Sequence, residues 1–170
     1  MRVIFRITAE LLDRLRKDLQ RVHPFAAERV GFISCQCASL DGTGVLILAG
    51  AYHSVEDADY IEDRTVGARI GSEALRKALQ FSYHSHKSMF HVHLHEHLGR
   101  PRFSRTDTRE TADFVPDFWN VQPGLPHGAI VFSHDSAVGS CWLPGSNMPV
   151  EVQEFNIVGS PMRIVSPIYD

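Results

Sequence analysis

The stretch HSHKSMFHVHLHEHLGRPRFSRTD, from His84 to Asp107, decides how this chain is read. It carries six of the ten histidines, and from His91 to His97 they fall on every second residue. In an extended strand alternate side chains share a face, so His91, His93, His95 and His97 would all point the same way. Apolar packing has little use for several imidazoles on one face. A metal ion has, because neutral imidazole is a good ligand for zinc and similar ions. Ser104 and Asp107 follow in the spacing H-x-H-x8-S-x-x-D, which adds a hydroxyl and a carboxylate to the two nitrogens.

Working outward from that stretch, hydrophobic periodicity predicts the elements that would carry it. Arg2 to Ile7 alternates and reads as a strand. Thr8 is placed to cap a helix from about Ala9 to Val22, in which Leu11, Leu12, Leu15, Leu19 and Val22 recur at helical spacing. Val30 to Ala38 and Val45 to Tyr52 form a hairpin across the turn signal Asp41-Gly42-Thr43-Gly44. Ser72 is placed to cap a second helix, with Leu75, Ala78 and Leu79 inward. The histidine strand runs from Ser88 to about His95. Ser104 opens a third helix that Pro116 should interrupt. Ala129 to Ser133, Ala137 to Leu143, Val150 to Val158 and Met162 to Val165 read as further strands. The expectation is a single α/β domain over residues 1–170, a sandwich with a mixed, largely antiparallel sheet and about three helices.

Bulk properties bound the function. The 170 residues are 44% hydrophobic and 22% charged, an ordinary globular composition. A domain of this length buries roughly 70% of its unfolded surface, so it needs no disulfides. A formal charge of −3 lacks the basic excess of a nucleic-acid binder. No apolar run approaches membrane-spanning length, and MRVIFRITAELL lacks the features of a signal peptide. A cytoplasmic protein is the default. Cys35, Cys37 and Cys141 suit a reducing compartment, with Cys35 and Cys37 read as sheet packing.

A hydrolytic zinc site takes three protein ligands and leaves one position for water. His93, His95 and Asp107 would supply the three. A carboxylate must then take a proton from the water and pass it to the leaving amine, and Glu28, in PFAAERVGF at a strand entry, is the candidate. Ser104 could donate a hydrogen bond to the oxyanion. Each element has a plainer reading alone. Ser-x-x-Asp is a capping motif for the helix it opens, and a single carboxylate before a strand is usually solvated.

Together these residues resemble the JAB/MPN domain with its JAMM metalloprotease motif. The chain shows Glu28-Arg-Val-Gly31, then His93-Leu-His95, then Ser104-Arg-Thr-Asp107, in the family's order and among elements in the family's order. The resemblance implies a JAB/MPN-type, cytidine-deaminase-like α/β fold with one zinc per chain. It implies an isopeptidase or peptidase that cleaves the C-terminal glycine linkage of a ubiquitin-like modifier, in a prokaryotic setting with E1-like and E2-like enzymes encoded nearby. By the same resemblance His93, His95 and Asp107 are ligands, Glu28 is the base and acid, and Ser104 stabilises the oxyanion. The chain departs from the family pattern at Glu96, where proline is usual, and in the eight residues between His95 and Ser104, where seven are usual. The pair His95 and His97 is therefore a second register, with Val92 before His93 favouring the first. The alternative function is a noncatalytic MPN-type scaffold that binds a partner and keeps a vestigial site.

Other metal families fit less well. A zincin needs H-E-x-x-H, and the position three after Glu96 is Gly99. A zinc deaminase needs P-C-x-x-C, which is missing around Cys141. A TIM barrel needs about 250 residues, and two amphipathic helices argue against a cupin. The acidic segment Glu56, Asp57, Asp59, Glu62 and Asp63 reads either as a solvated loop or as a clamp in which Asp59 and Glu62 hold arginines of a modifier tail.

Overall fold

The computed structural model describes residues 1–165. The chain runs β1 (Arg2–Thr8), α1 (Ala9–Leu19), β2 (Val30–Leu40), β3 (Gly44–Ser54), a 3-10 turn at Asp57–Asp59, α2 (Ser72–Ser85), β4 (Ser88–Leu94) and α3 (Arg105–Val121). It ends with β5 (His127–Phe132), β6 (Ala137–Trp142), β7 (Val150–Glu151), β8 (Glu154–Val158) and β9 (Arg163–Ile164). These strands make one mixed sheet in the order β7-β6-β5-β4-β2-β3-β1-β8-β9. The β4–β5, β1–β3 and β1–β8 pairs are parallel and the other pairs antiparallel. The α/β class with a mixed sheet and three helices is as the sequence predicts. Among the described residues no helix is long and apolar enough to cross a membrane.

Helix α1 forms for reasons legible in sequence. Thr8 Oγ1 accepts a hydrogen bond from Leu11 N–H at 3.2 Å, and Leu11, Leu12, Leu15 and Leu19 are all buried. A leucine buried this way is worth about 1.5–3 kcal/mol, far more than the propensity of so short a helix. The helix stops at Leu19 rather than Val22, and Val22 is 93% exposed. Just beyond it, buried Arg29 donates from Nε to the carbonyl of Arg21 (2.8 Å) and from Nη2 to that of Val22 (3.3 Å). Pro24, which has no N–H and disfavours helical geometry at the residue before it, bars further turns, and the guanidinium satisfies carbonyls left without helical donors.

Three other boundaries differ from expectation. Gly71, with no side-chain bond, occupies the N-cap of α2, and Ser72 is already helical. Helix α3 runs through Pro116 to Val121. Pro116 lies on the exposed side, while Val115 and Phe118 are fully buried and hold the helix against the sheet despite the lost N–H. The segment Val150 to Val158, expected as one strand, is shared between the two sides of the sheet. Val150 and Glu151 pair with β6, and Glu154 to Val158 pair with β1. Between them Val152 N–H donates to Gly139 O and Gln153 N–H to Val3 O. The sheet therefore curls until β6 and β1 are bridged by one short stretch of chain. The leucines of α1 pack into the resulting core beside Val3, Phe5, Ile33, Ile47, Phe90, Val152 and Phe155.

Strand β4 divides its side chains between two cores. Phe90, Val92 and Leu94 join the core that contains α1. Met89 belongs to the opposite core, with Phe32, Ala74, Ala78 and Phe118. By strict alternation His91 and His93 follow Met89 onto the face covered by α2 and α3.

Candidate metal centre

His93 lies at the carboxy end of β4, paired with Val30 of β2 on one side and Val131 of β5 on the other. It is 1% exposed. Because β2 begins at Val30, Glu28 arrives at the strand entrance immediately beside it. The extended backbone continues one residue past β4, where His95 N–H donates to Phe132 O at 2.9 Å, so the His95 ring stays on the His93 face. Ring centroids of His93 and His95 are 5.0 Å apart. One ligand atom each from Glu28, His93 and His95 gather within 4.8 Å of one another. Asp107, in the first turn of α3, brings Oδ2 to 3.7 Å from His93 Nε2.

The electrostatics suit a cation. Burial pushes the His93 and His95 imidazoles toward the neutral, ligating form, opposed by the Asp107 charge. Burial pushes half-buried His91 down to about 3. Burial and then the nearby Asp107 charge push Glu28 up to about 7. At Asp107 burial works the other way, but His93 and the hydrogen bonds from Ser104 outweigh it and hold the carboxyl below its ordinary value. His93 Nε2 is buried and has no hydrogen-bond partner among the described residues. A buried polar atom left unpaired costs about 1–3 kcal/mol, and an ion bound to it would remove that cost. Two neutral imidazoles flanked by carboxylates form a donor set that fits zinc.

Ser104 and Asp107 do what each of their two readings requires. Ser104 Oγ accepts from Asp107 N–H at 3.1 Å, and Ser104 N–H donates to Asp107 Oδ2 at 2.6 Å, a complete capping box. The box fixes the Asp107 rotamer toward His93. The Ser104 hydroxyl proton remains available, because the cap uses only its lone pair. The loop before α2 supplies the facing wall. Gly67 O accepts from Ala27 N–H (2.8 Å) and Glu28 N–H (3.2 Å), and a β-carbon at Gly67 would run into the Glu28 carboxylate. Glu28, Thr65, Gly67, Ser104, Asp107 and Glu110 line a cleft of about 230 Å³.

The structure thus brings Glu28, His93, His95, Ser104 and Asp107 together. Within this group Glu28, rather than Asp107, completes the tightest three-residue cluster with the histidines. His97 stands outside that cluster, with its ring 5.8 Å from that of His95. The acidic run is largely spent inside the chain. Asp59 Oδ2 lies 2.8 Å from Lys77 Nζ, with its side chain only 8% exposed, and Asp57 meets buried Arg29 at 2.7 Å. Asp63 pairs with Arg69, and Glu62, at the surface, pairs with Arg64. Gly67 and Arg29 carry no motif. Their proximity to Glu28 and to the end of α1 exists only in the folded chain.

The cysteines pack as expected. Cys35 and Cys141 are buried, Cys37 is partly so with Sγ 3.1 Å from Ser88 Oγ, and all three are free thiols. Burial pushes Cys37 up to about 11 and Cys141 to about 12, which keeps both protonated. His127 is fully buried, stacks on Phe118 and accepts the Met89 N–H on Nδ1 at 3.1 Å. No protein-family model matches the chain, and a search of curated proteins finds no relative for it.

Proposed function

We propose that this protein is a zinc-dependent metallopeptidase of the JAMM type, an isopeptidase that cleaves the C-terminal glycine linkage of a ubiquitin-like modifier. The observation that carries the reading is the convergence of Glu28, His93 and His95 within 4.8 Å, with Asp107 3.7 Å from His93. His93, His95 and Asp107 would hold the ion. Zinc there supplies a Lewis acid, which sharpens a carbonyl's electrophilicity and the acidity of water.

The remaining work belongs to the chain. Glu28, whose carboxyl is pushed up to about 7 by burial and the Asp107 charge in the metal-free chain, is placed to accept a proton and to release it to the leaving amine. Its carboxylate oxygen lies within 4.8 Å of ligand nitrogens of His93 and His95, so the proton it accepts would stay beside the ion. Ser104 can aim its hydroxyl at the developing oxyanion while its oxygen still caps α3. The cleft of about 230 Å³ lined by Glu28, Gly67, Ser104 and Asp107 is where the glycine-ended tail would lie.

Two variants test this. Asp107→Ala should lose zinc, measured by metal analysis of purified protein, while Glu28→Gln should keep zinc and lose nearly all cleavage of a modifier fusion. Wild-type protein that carries no zinc after purification in its presence overturns the metal site. Cleavage by Glu28→Gln within a few-fold of wild type removes Glu28 from proton transfer.

A further inference from the structure

The histidine row does not end at the candidate centre. Ring centroids step from His93 to His95 at 5.0 Å and from His95 to His97 at 5.8 Å. Exposure is graded along the same line: His93 is buried, His95 half-buried and His97 exposed. His93 Nε2 is sealed from solvent, so an arriving hydrated ion meets a more exposed group first, and the outermost imidazole of the row is His97.

His97 is built for that first contact. Its Nδ1 lies 2.8 Å from Leu98 O. A carbonyl only accepts, so in the neutral imidazole this contact places the proton on Nδ1 and leaves the Nε2 lone pair open to a metal. The backbone is pinned as well. His97 N–H donates to His95 O (2.9 Å), and His97 O accepts from His134 N–H (3.0 Å). Two residues on, Gly99 N–H donates to Asp135 Oδ1 at 2.7 Å and Gly99 O accepts from Ser133 Oγ at 2.7 Å. The exposed imidazole is therefore presented on a braced turn, in a fixed tautomer, one ring away from the centre. An exposed histidine bonded to its neighbour's carbonyl is ordinary by itself. The graded row leading from it to an unpaired buried nitrogen is what sets this one apart.

We propose that His97 is a capture ligand, which takes a divalent borderline metal ion from solvent and passes it by ligand exchange to His95 and His93. The inference rests on the metal reading above. In its resting place the ion would not use His97, so His97 should govern how fast metal enters and leaves and not how tightly it is held.

The test is stopped-flow loading of metal-free protein with Zn2+ against a zinc-indicator chelator, followed by release into excess chelator. His97→Ala and His97→Gln are compared with wild type and with His84→Ala, an exposed histidine on α2 away from the row. The expected result is that both loading and release slow by about ten-fold, the low end of the range that association rates span among variants of one site. Affinity and stoichiometry should match wild type, and His84→Ala should be unchanged. Loading by both His97 variants at the wild-type rate overturns the proposal, and so does equal slowing in His84→Ala. A loss of affinity in His97→Ala overturns it too, by making His97 a ligand of the resting ion. Wild-type protein that takes up no zinc at all overturns the metal reading itself, which separates the two failures.

Discussion

Replacing Gly67 by alanine tests how the Glu28 carboxylate is held without altering any group that does chemistry. A β-carbon built at Gly67 lies 2.8 Å from Glu28 Cδ and 3.1 Å from its Cγ, and closer still to Oε1. Ordinary contacts begin near 3.4 Å, so the carboxyl carbon must retreat by at least 3.4 − 2.8 = 0.6 Å, and the oxygen by more. Glu28 is the flexible partner and will be the one to move. A displacement of about 1 Å in a reacting group costs up to roughly 100-fold in rate, or about 2.7 kcal/mol of transition-state stabilisation. The expected outcome is a fall of about 10- to 100-fold in kcat/KM on a fusion ending in a glycine pair. Zinc content and thermal stability should be unchanged, because Gly67 sits on a loop and His93, His95 and Asp107 keep their places. Unchanged turnover would refute the argument that the Glu28 position matters for proton transfer. Lost zinc with lost turnover would instead make Glu28 a ligand, as its place in the three-residue cluster allows.

Two further predictions concern the fold. His127, buried and pushed down from 6.5 to about 4 by burial, stays neutral in the native state. Stability from this group is complete above about pH 6.5 and drains as pH falls toward 4, by up to about 1.4 kcal/mol per pH unit, because the unfolded chain binds a proton that the fold refuses. The melting temperature of metal-free protein should drop across that window, with a shallower drop in His127→Gln; a flat wild-type profile would contradict it. Pro116→Ala restores a donor to the Ala112 carbonyl on the exposed side of α3 and should raise stability by about 1–3 kcal/mol in urea unfolding, whereas a destabilised variant would mean the proline's shape is needed there.

Much of the site was legible in the sequence because it depends on local geometry. Period-two alternation alone puts His91, His93 and His95 on one face, whatever surrounds the strand. Ser104-x-x-Asp107 specifies its own capping box within one helical turn, and Thr8 with the leucines after it specifies α1. Glu28 could be nominated by its place before a β-rich run. None of this needs knowledge of distant contacts.

What the chain alone left open depends on contacts between residues far apart in sequence. Past the end of α1 the carbonyls of Arg21 and Val22 are held by buried Arg29, a contact that no local pattern announces. The run from Val150 to Val158 has the alternation of one strand, and only the curl of the sheet splits it between β6 and β1. The acidic run has the composition of an open clamp, yet Lys77, Arg29 and Arg69 pair with Asp59, Asp57 and Asp63, while Glu62 stays at the surface beside Arg64. The choice between the two histidine registers was only partly local. Val92 before His93 favours the first register in the sequence, but that Glu28 and Asp107 arrive beside His93 follows only from strand pairing and the placement of α3.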